Sequence, residues 1–255
     1  MTASLKTWFE REGRLLRLRL ARPKANIIDA EMIAALTAAL DQHLGTPSLV
    51  AVLLDAEGPH FSFGASVEEH LPDVCADMLA SLHKLVLKLA SAPVPTLCAI
   101  QGQCLGGGLE VALACGRLFG ATDAALGQPE IKIGVFAPAA SCLLPDRIGQ
   151  AHAEDLLYSG RSVASDEALA MGLFDDLSDD PTASALAWFD KHLAGLSAST
   201  LRHAVSALSE PKIERLRQNL TRVEALYLDH LMITRDAKEG LEAFMEKRQP
   251  VWEHR

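Results

Sequence analysis

The chain has 255 residues, 49% of them hydrophobic and 22% charged, a balance typical of a globular protein with one sizeable core. Its formal net charge of −9 argues against non-specific binding to nucleic acid or to an anionic membrane surface. The five cysteines contain no C-x-x-C pair, so we expect buried reduced thiols in a cytoplasmic protein, without disulfides or a zinc site.

The first third of the chain predicts a strand, a helix and a second strand. Residues 1–14 are mixed polar and lack the apolar core of a signal peptide. Leu16, Leu18 and Leu20 alternate with arginines, which predicts a half-buried strand. Asp29 then caps a helix whose apolar stripe ends near Leu44. Residues 49–54 form a short apolar run typical of a buried parallel strand.

Alternation of helix and strand continues to about residue 121. A leucine-rich stripe predicts a helix over 79–89, and residues 96–100 and 117–121 predict strands on either side of a short buried helix at 110–115. The uncharged stretch 89–109 contains prolines and a glycine cluster, so we expect no membrane span. This order predicts an α/β architecture with right-handed crossovers.

From about Ala137 onward the strand pattern ends and the sequence predicts helices. They lie around residue 143 and over residues 151–158, 166–171, 183–196, 200–208, 213–234 and 237–247. We therefore expect an α/β core over residues 1–195 and a helical C-terminal region over residues 196–255.

Three consecutive glycines, Gly106 to Gly108, separate the third strand from the short helix. Such a segment leaves backbone N–H groups unshielded at the positive end of a helix, where an anion or a developing oxyanion can bind. The spacing matches neither a Walker motif nor a dinucleotide fingerprint. A close helix–sheet contact would explain the glycines equally well.

Two glutamates stand in apolar surroundings. Glu110 follows the glycines directly, and Glu130 lies between Pro129 and Ile131. Burying an ionised carboxylate is costly unless it is paired or used. Two such groups that face one water molecule can share acid and base duties. Taken singly, each glutamate is better explained by a helix cap or a salt bridge than by catalysis.

A loop over residues 61–66 follows the second strand, where ligand crevices form in α/β sheets. Gly64 permits an unusual backbone angle, so this loop can aim its amides inward. Without the other motifs it is an ordinary loop anchored by two phenylalanines.

Five segments together resemble the enoyl-CoA hydratase/isomerase (crotonase) superfamily over nearly the whole chain. They are Arg22-Pro23-Lys24-Ala25-Asn26, Phe61-Ser62-Phe63-Gly64-Ala65, Gln103-Cys104-Leu105-Gly106-Gly107-Gly108-Leu109-Glu110, Gly127-Gln128-Pro129-Glu130 and Phe244-Met245-Glu246-Lys247-Arg248. The resemblance implies a crotonase-like spiral of repeated ββα units with a C-terminal helical trimerisation region. It implies a homotrimer or a dimer of trimers, an acyl-CoA substrate, and no metal or other cofactor.

The resemblance also implies roles for individual residues. The catalytic carboxylates are Glu110 and Glu130, and the oxyanion hole is formed by the backbone amides of Phe63 and Gly107. The residues expected to contact CoA are Lys24, Ala25, Phe61, Gly64, Ala65, Phe244 and Lys247. In this family the last helix serves the CoA pocket of a neighbouring subunit, which corresponds here to Phe244 and Lys247. For Lys24 a solvated loop lysine is the alternative interpretation.

Two departures from the common family pattern narrow the expected reaction. Ser66 stands where many members have Asp, and residues 136–141 replace a glycine-rich turn. The runs 61–70 and 134–144 resemble the branch of the family that hydrates cyclohexa-1,5-diene-1-carbonyl-CoA. That reaction gives 6-hydroxycyclohex-1-ene-1-carbonyl-CoA in anaerobic benzoyl-CoA degradation.

Other functions stay open on the sequence alone. One is a general trans-2-enoyl-CoA hydratase or an enoyl-CoA isomerase, and isomerisation can proceed with one carboxylate. A caseinolytic-type serine protease shares the fold and would need a pair such as Ser66 and His70. A non-enzymatic scaffold that binds acyl-CoA or RNA is a third possibility. The excess of acidic residues disfavours RNA binding. We expect surface or packing roles for His83 and a core or interface role for Tyr227.

Overall fold

A computed structural model describes residues 4–71 and 73–255. Residues 1–3 and Pro72 lie outside the described residues. The expectation that residues 1–14 contain no signal peptide falls partly on them. The strands are β1 (Leu5–Glu10), β2 (Leu15–Leu20), β3 (Ala51–Ala56), β4 (Thr96–Ile100), β5 (Gln103–Leu105), β6 (Arg117–Ala121), β7 (Ala125–Gly127), β8 (Ser162–Ala164) and β9 (Asp176–Ser178).

The helices connect these strands and then dominate the second half of the chain. They are α1 (Ala30–His43), α2 (Cys75–Ala90), α3 (Gly107–Leu113), α4 (Pro138–Ile148), α5 (Gln150–Ser159), α6 (Ser165–Ala170), α7 (Pro181–His192), α8 (Ala198–Ala225) and α9 (Arg235–Met245). Short 3₁₀ helices span Glu68–His70 and Pro129–Ile133, and a π-helix spans Leu226–Leu231.

The larger sheet has the strand order β1-β2-β3-β4-β6-β9 and is parallel except for the antiparallel pair β1 and β2. Its two faces are both covered. Val52 and Leu54 belong to the core that contains the buried side of α1 and α2, whereas Leu53 packs with Phe189 of α7 on the other face. Burial on both faces explains why residues 49–54, which include most of β3, form a continuous apolar run in the sequence.

The smaller sheet carries the elements around the predicted site. β5 pairs with β7 in parallel, and β7 pairs with β8 in antiparallel orientation. Residue 62, in the loop after β3, forms an isolated bridge with Cys104 of β5. The loop 61–66, the glycine turn after β5 and the segment after β7 therefore meet at one edge of this sheet.

Strand β2 is more buried than its alternating leucines and arginines predict. The Arg17 side chain is 2% exposed because it pairs with Asp55 of β3 and, at 2.8 Å, with Glu10 of β1. Arg19 also reaches Asp55 at 2.6 Å, and both guanidinium groups lie over the ring of Trp8. Ion pairing lets a polar strand position enter the interior.

The expectation that strands end near Ala137 is wrong, since β8 and β9 follow it. Each has three residues, which is too short to show the alternation that predicts a strand. The predicted break between residues 208 and 213 is also absent. α8 continues past Pro211 because tertiary packing of Leu216, Leu220 and Val223 outweighs one lost hydrogen bond.

The C-terminal helices pack directly on the α/β core. Leu216, Tyr227 and Leu241 belong to the same buried cluster as residues of α1 and α2. Within residues 4–71 and 73–255, no helix combines the length and the apolar character that crossing a membrane requires. Four of the five cysteines are buried, as expected, and Cys142 is partly buried.

Candidate active site

The glycine turn brings a backbone amide to the beginning of α3. Gly106 has φ +49, and its N–H donates to the carbonyl of Gly127 in β7 at 3.0 Å. A Cβ on Gly106 would lie 2.5 Å from Oε1 of Glu130. Glycine is therefore required here both for the backbone angle and for the close approach of a carboxylate. The next amide, that of Gly107, donates no hydrogen bond to any described residue.

The loop 61–66 places a second amide beside that of Gly107. Gly64 has φ +107, and a Cβ on Gly107 would lie 3.1 Å from the nitrogen of Ala65. The Ala65 amide likewise has no hydrogen-bond acceptor within the described part of the chain. Two adjacent unpaired donors beside a cavity are the arrangement that stabilises an oxyanion.

Two predictions for this loop are wrong. The Phe63 N–H, expected in the oxyanion hole, already donates to the carbonyl of Ala25 at 2.9 Å. That hydrogen bond ties the loop to the segment before α1 and leaves the Ala65 amide as the donor beside Gly107. Phe61, expected to contact CoA, is fully buried in the main core, and its N–H donates to Gln101.

Glu110 lies on α3 and is 3% exposed. Its Oε1 accepts the N–H of Ala140, in the first turn of α4, at 2.9 Å. The cap expected as an alternative is therefore present for one carboxylate oxygen. Burial raises the pKa of Glu110, and the hydrogen bond from Ala140 opposes that rise.

Glu130 lies on the 3₁₀ helix after β7 and lines a cavity of about 370 Å³. With its side-chain nitrogen turned toward Glu130, the buried Gln128 amide donates to both carboxylate oxygens, at 3.0 and 3.2 Å. Burial, followed by the negative charge of Glu110, raises the pKa of Glu130 to about 8. The two predicted carboxylates thus lie close enough for the charge of Glu110 to raise the pKa of Glu130.

The cavity adjoins a larger groove of about 1140 Å³. Phe63, Ala65 and Phe244 line both spaces, so Ala65 lies where the groove meets the cavity. Gly64 lines the cavity, and Ala25 lines the groove. Of the predicted CoA contacts, the structure therefore brings all but Phe61 to this surface.

Two lysines supply unpaired positive charge to the groove. Lys24 and Lys247 both line it, and neither forms an ion pair with a described residue. The neighbouring Arg22 is instead bound to Asp29 at 2.6 Å. An anionic ligand in the groove would therefore meet Lys24 and Lys247 first.

The end of α9 lines the groove of its own chain, whereas the family resemblance implied a role in a neighbour's pocket. Phe244 and Lys247 reach the groove because α9 packs against the 3₁₀ helix that carries Glu130. The contact is close: a Cβ on Gly240 would lie 2.3 Å from the carbonyl oxygen of Ile133.

Two buried polar side chains near the carboxylates were not predicted as site residues. His83 of α2 is 4% exposed, and its Nδ1 lies 2.6 Å from Oε2 of Glu224. Tyr227 is fully buried, and burial followed by the charges of Cys75, Glu130 and Glu110 raises the pKa of its hydroxyl. Both residues stand at helical spacing among apolar neighbours, so the sequence gives no signal that separates them from core residues.

The structure does not favour the alternative of a serine protease. His70 Nδ1 lies 2.7 Å from the carbonyl oxygen of Ser66, so this ring nitrogen is occupied by backbone and not by the serine hydroxyl. Burial also lowers the pKa of His70. Across residues 4–71 and 73–255, no group of three or more His, Cys, Asp or Glu side chains is arranged to hold a metal ion.

Comparison with known proteins identifies the family of this arrangement. The family model for enoyl-CoA hydratase/isomerase matches residues 10–255. A cyclohexa-1,5-dienecarbonyl-CoA hydratase of Thauera aromatica is 63% identical over 254 residues, covering 100% of this chain and 98% of the relative. An enoyl-CoA isomerase/hydratase of Mycosarcoma maydis is 32% identical over 79% of this chain and 75% of its own length.

Solved structures agree on the fold. An enoyl-CoA hydratase from Mycobacterium avium subsp. paratuberculosis superposes with a TM-score of 0.85 at 22% identity and covers 99% of both chains. An enoyl-CoA hydratase/isomerase from Pseudoalteromonas atlantica gives 0.83 at 27% identity, over 98% of this chain and 99% of its own. The crotonase-like fold and the family predicted from five short segments are confirmed. The chain belongs to the enoyl-CoA hydratase/isomerase family.

Proposed function

We propose that the chain hydrates cyclohexa-1,5-diene-1-carbonyl-CoA to 6-hydroxycyclohex-1-ene-1-carbonyl-CoA, in anaerobic degradation of benzoyl-CoA. One observation carries the proposal: the buried Glu110 and the half-buried Glu130 lie within electrostatic reach of each other, beside the unpaired Ala65 and Gly107 amides. The 63% identity to a hydratase named for this substrate supports the choice of acyl group.

The substrate binds with its CoA part in the groove and its ring in the cavity. Lys24 and Lys247 face the CoA phosphates, and Phe244 lines the passage between the two spaces. The thioester oxygen accepts hydrogen bonds from the Ala65 and Gly107 amides. These contacts fix the reacting carbons beside the carboxylates, which removes most of the entropic cost of bringing the reactants together.

Negative charge develops on the thioester oxygen during the reaction. As the water oxygen bonds to the β-carbon, electrons move through the diene and the carbonyl to give a dienolate. Preorganised N–H donors stabilise this charge more than the ground-state carbonyl, and one such donor contributes roughly 3–4 kcal/mol in a hydrolase precedent.

The two carboxylates divide the proton transfers. Glu110 accepts a proton from the water as its oxygen attacks, and Glu130 donates a proton to the far end of the conjugated system. A pKa of about 8 keeps Glu130 largely protonated at neutral pH, as an acid requires. The product contains the hydroxyl at the β-carbon and one added hydrogen at the distal carbon, and proton exchange restores both glutamates.

The reaction is redox-neutral, so the proposal requires no metal or redox cofactor. We further propose a cytoplasmic homotrimer or dimer of trimers, with the helical residues 196–255 in the subunit contacts. Analytical ultracentrifugation checks the assembly: a species of three or six times the 27.4 kDa chain mass is expected, and a monomer at assay concentration contradicts it.

The test compares Glu110→Gln and Glu130→Gln with the wild type, following the absorbance of the cyclic dienoyl-CoA. Each variant should lose about 10²–10⁴-fold in kcat, since each removes one proton-transfer group. The exposed Glu210→Gln on α8 is the matched control and should be unchanged. Hydration at the wild-type rate by both site variants would refute the proton-transfer roles of Glu110 and Glu130. A preference for crotonyl-CoA over the cyclic substrate would favour a general enoyl-CoA hydratase.

A further inference from the structure

Tyr227 occupies an irregular turn next to the site. It lies in the π-helix Leu226–Leu231 that follows α8, and the N–H of Met232 donates to its carbonyl at 2.9 Å, five residues back along the chain. π-Helical turns are rare and occur frequently at functional sites. Here the turn shifts the register of the helix and directs a fully buried tyrosine into the main core.

The side-chain hydroxyl of Tyr227 is buried and lacks a hydrogen-bond partner among the described residues. Leaving such a group unpaired destabilises the folded state, and a phenylalanine at this position would avoid that cost. The ring itself is held in place by an edge contact with Phe136, at 5.3 Å between ring centroids.

Phe136 belongs to the segment that joins the two carboxylates. The N–H of Val135 donates to the carbonyl of Glu130 at 3.2 Å, and the N–H of Ala140 donates to the carboxylate of Glu110 at 2.9 Å. Tyr227, packed on Phe136, therefore lies against the segment that contacts both glutamates. The charges of Glu130 and Glu110 both act on its hydroxyl, which agrees with this placement.

We propose that Tyr227 is a further catalytic residue, whose hydroxyl donates a hydrogen bond to the oxygen of the reacting water and to the hydroxyl of the product. The assignment rests on the proposed hydration. Water has two hydrogens and two lone pairs. Glu110 accepts one hydrogen, and the unprotonated oxygen of the Glu130 carboxyl group accepts the other. Tyr227 donates to one lone pair, and the second faces the β-carbon. Burial keeps the phenol protonated, so it acts as a donor.

Tyr227→Phe tests the assignment because it removes one oxygen and keeps the ring against Phe136. We expect kcat for the cyclic dienoyl-CoA to fall about 10- to 100-fold, the effect of one lost hydrogen bond in the transition state. The melting temperature should stay equal or rise, because the variant removes a buried unpaired hydroxyl. Tyr158→Phe alters the other tyrosine of the chain, which is 71% exposed, and should match the wild type.

Fluorine NMR gives a second readout that does not depend on turnover. In the Tyr158→Phe background Tyr227 is the only tyrosine, so 3-fluorotyrosine labels this site alone. Adding the 6-hydroxy product should shift its resonance. A wild-type kcat for Tyr227→Phe, or a resonance that does not respond to product, overturns the assignment while the hydration stands. Failure of the wild type to hydrate the cyclic substrate overturns both.

Discussion

At the scale of single residues, the site depends on which amides of the loop 61–66 are left without an acceptor. The sequence identifies Glu110, Glu130 and Gly107, and the structure brings these three together. It does not identify the loop donor, because that depends on a distant carbonyl, that of Ala25, which occupies the Phe63 amide. Tyr227 escapes prediction for a similar reason: its position follows from a π-helical turn without a sequence signature.

Gly107→Ala should impair catalysis without unfolding the protein. The new Cβ would lie 3.0 Å from Cβ and 3.1 Å from the nitrogen of Ala65, so it forces the two amides apart. We expect kcat/KM to fall about 10²–10³-fold, as when one oxyanion donor is lost. Gly116→Ala is the control, because its nearest neighbour would lie at 3.5 Å. Steady-state kinetics that show equal losses in both variants would contradict the assignment of the amide pair.

The activity should decrease in alkaline solution. Glu130 has a pKa raised to about 8 by burial and by Glu110, and the proposed acid must carry its proton. Below that pH the acid is available, and above it kcat/KM should fall about tenfold per pH unit. The pH profile of the free enzyme measures this pKa. A profile that stays flat between pH 7 and 10 would exclude Glu130 as the acid.

The same raised pKa predicts a stability effect with a defined sign. The folded state holds the Glu130 proton more tightly than the unfolded chain, whose pKa is near 4.5. The group therefore contributes most to stability below pH 4.5, and this contribution is lost as pH rises toward 8. Near pH 4.5 the Glu130→Gln variant should have the melting temperature of the wild type. At pH 8 its melting temperature should be higher, by roughly 2–4 °C for each kcal/mol of stability that the wild type has lost. Thermal unfolding of both proteins at both pH values checks this, and a variant that melts below the wild type at pH 8 would contradict it.

At the scale of elements, periodicity predicts the long elements and misses the short ones. The apolar run 49–54 and the helical stripe 79–89 predict β3 (Ala51–Ala56) and α2 (Cys75–Ala90) with bounds that differ by a few residues. β8 and β9, with three residues each, are stabilised by their neighbours in the sheets and show no pattern of their own. α8 passes Pro211 because contacts with α4 and α2 outweigh the local preference.

The contact between α9 and the 3₁₀ helix positions both Glu130 and Phe244. Gly240→Ala should disrupt it, since the added Cβ would lie 2.3 Å from the carbonyl oxygen of Ile133. We expect a loss of about 1–3 kcal/mol in the free energy of unfolding, together with a higher KM for acyl-CoA. Gly195→Ala, which would have no neighbour within 4 Å, is the control for chemical denaturation and kinetics. Unchanged stability and KM for Gly240→Ala would show that α9 does not shape the groove.

At the scale of the whole molecule, the family follows from a few short segments, whereas the assembly does not. Five motifs are enough to identify the crotonase-like fold, which solved structures share at only 22% identity with a TM-score of 0.85. The trimer stays a prediction, because subunit contacts depend on surface shape, which no motif encodes. In the proposed reaction, water is added across a conjugated acyl-CoA thioester that is held beside two carboxylates.

Isotope tracing of the product is the decisive test of the proposed hydration. The wild type is incubated with cyclohexa-1,5-diene-1-carbonyl-CoA in water enriched in ¹⁸O and deuterium, and the product is examined by mass spectrometry and NMR. We expect one ¹⁸O in the hydroxyl at the β-carbon and one deuterium at the far end of the former diene. Deuterium without ¹⁸O would identify an isomerase, and an unlabelled, unchanged thioester would refute the proposed hydration.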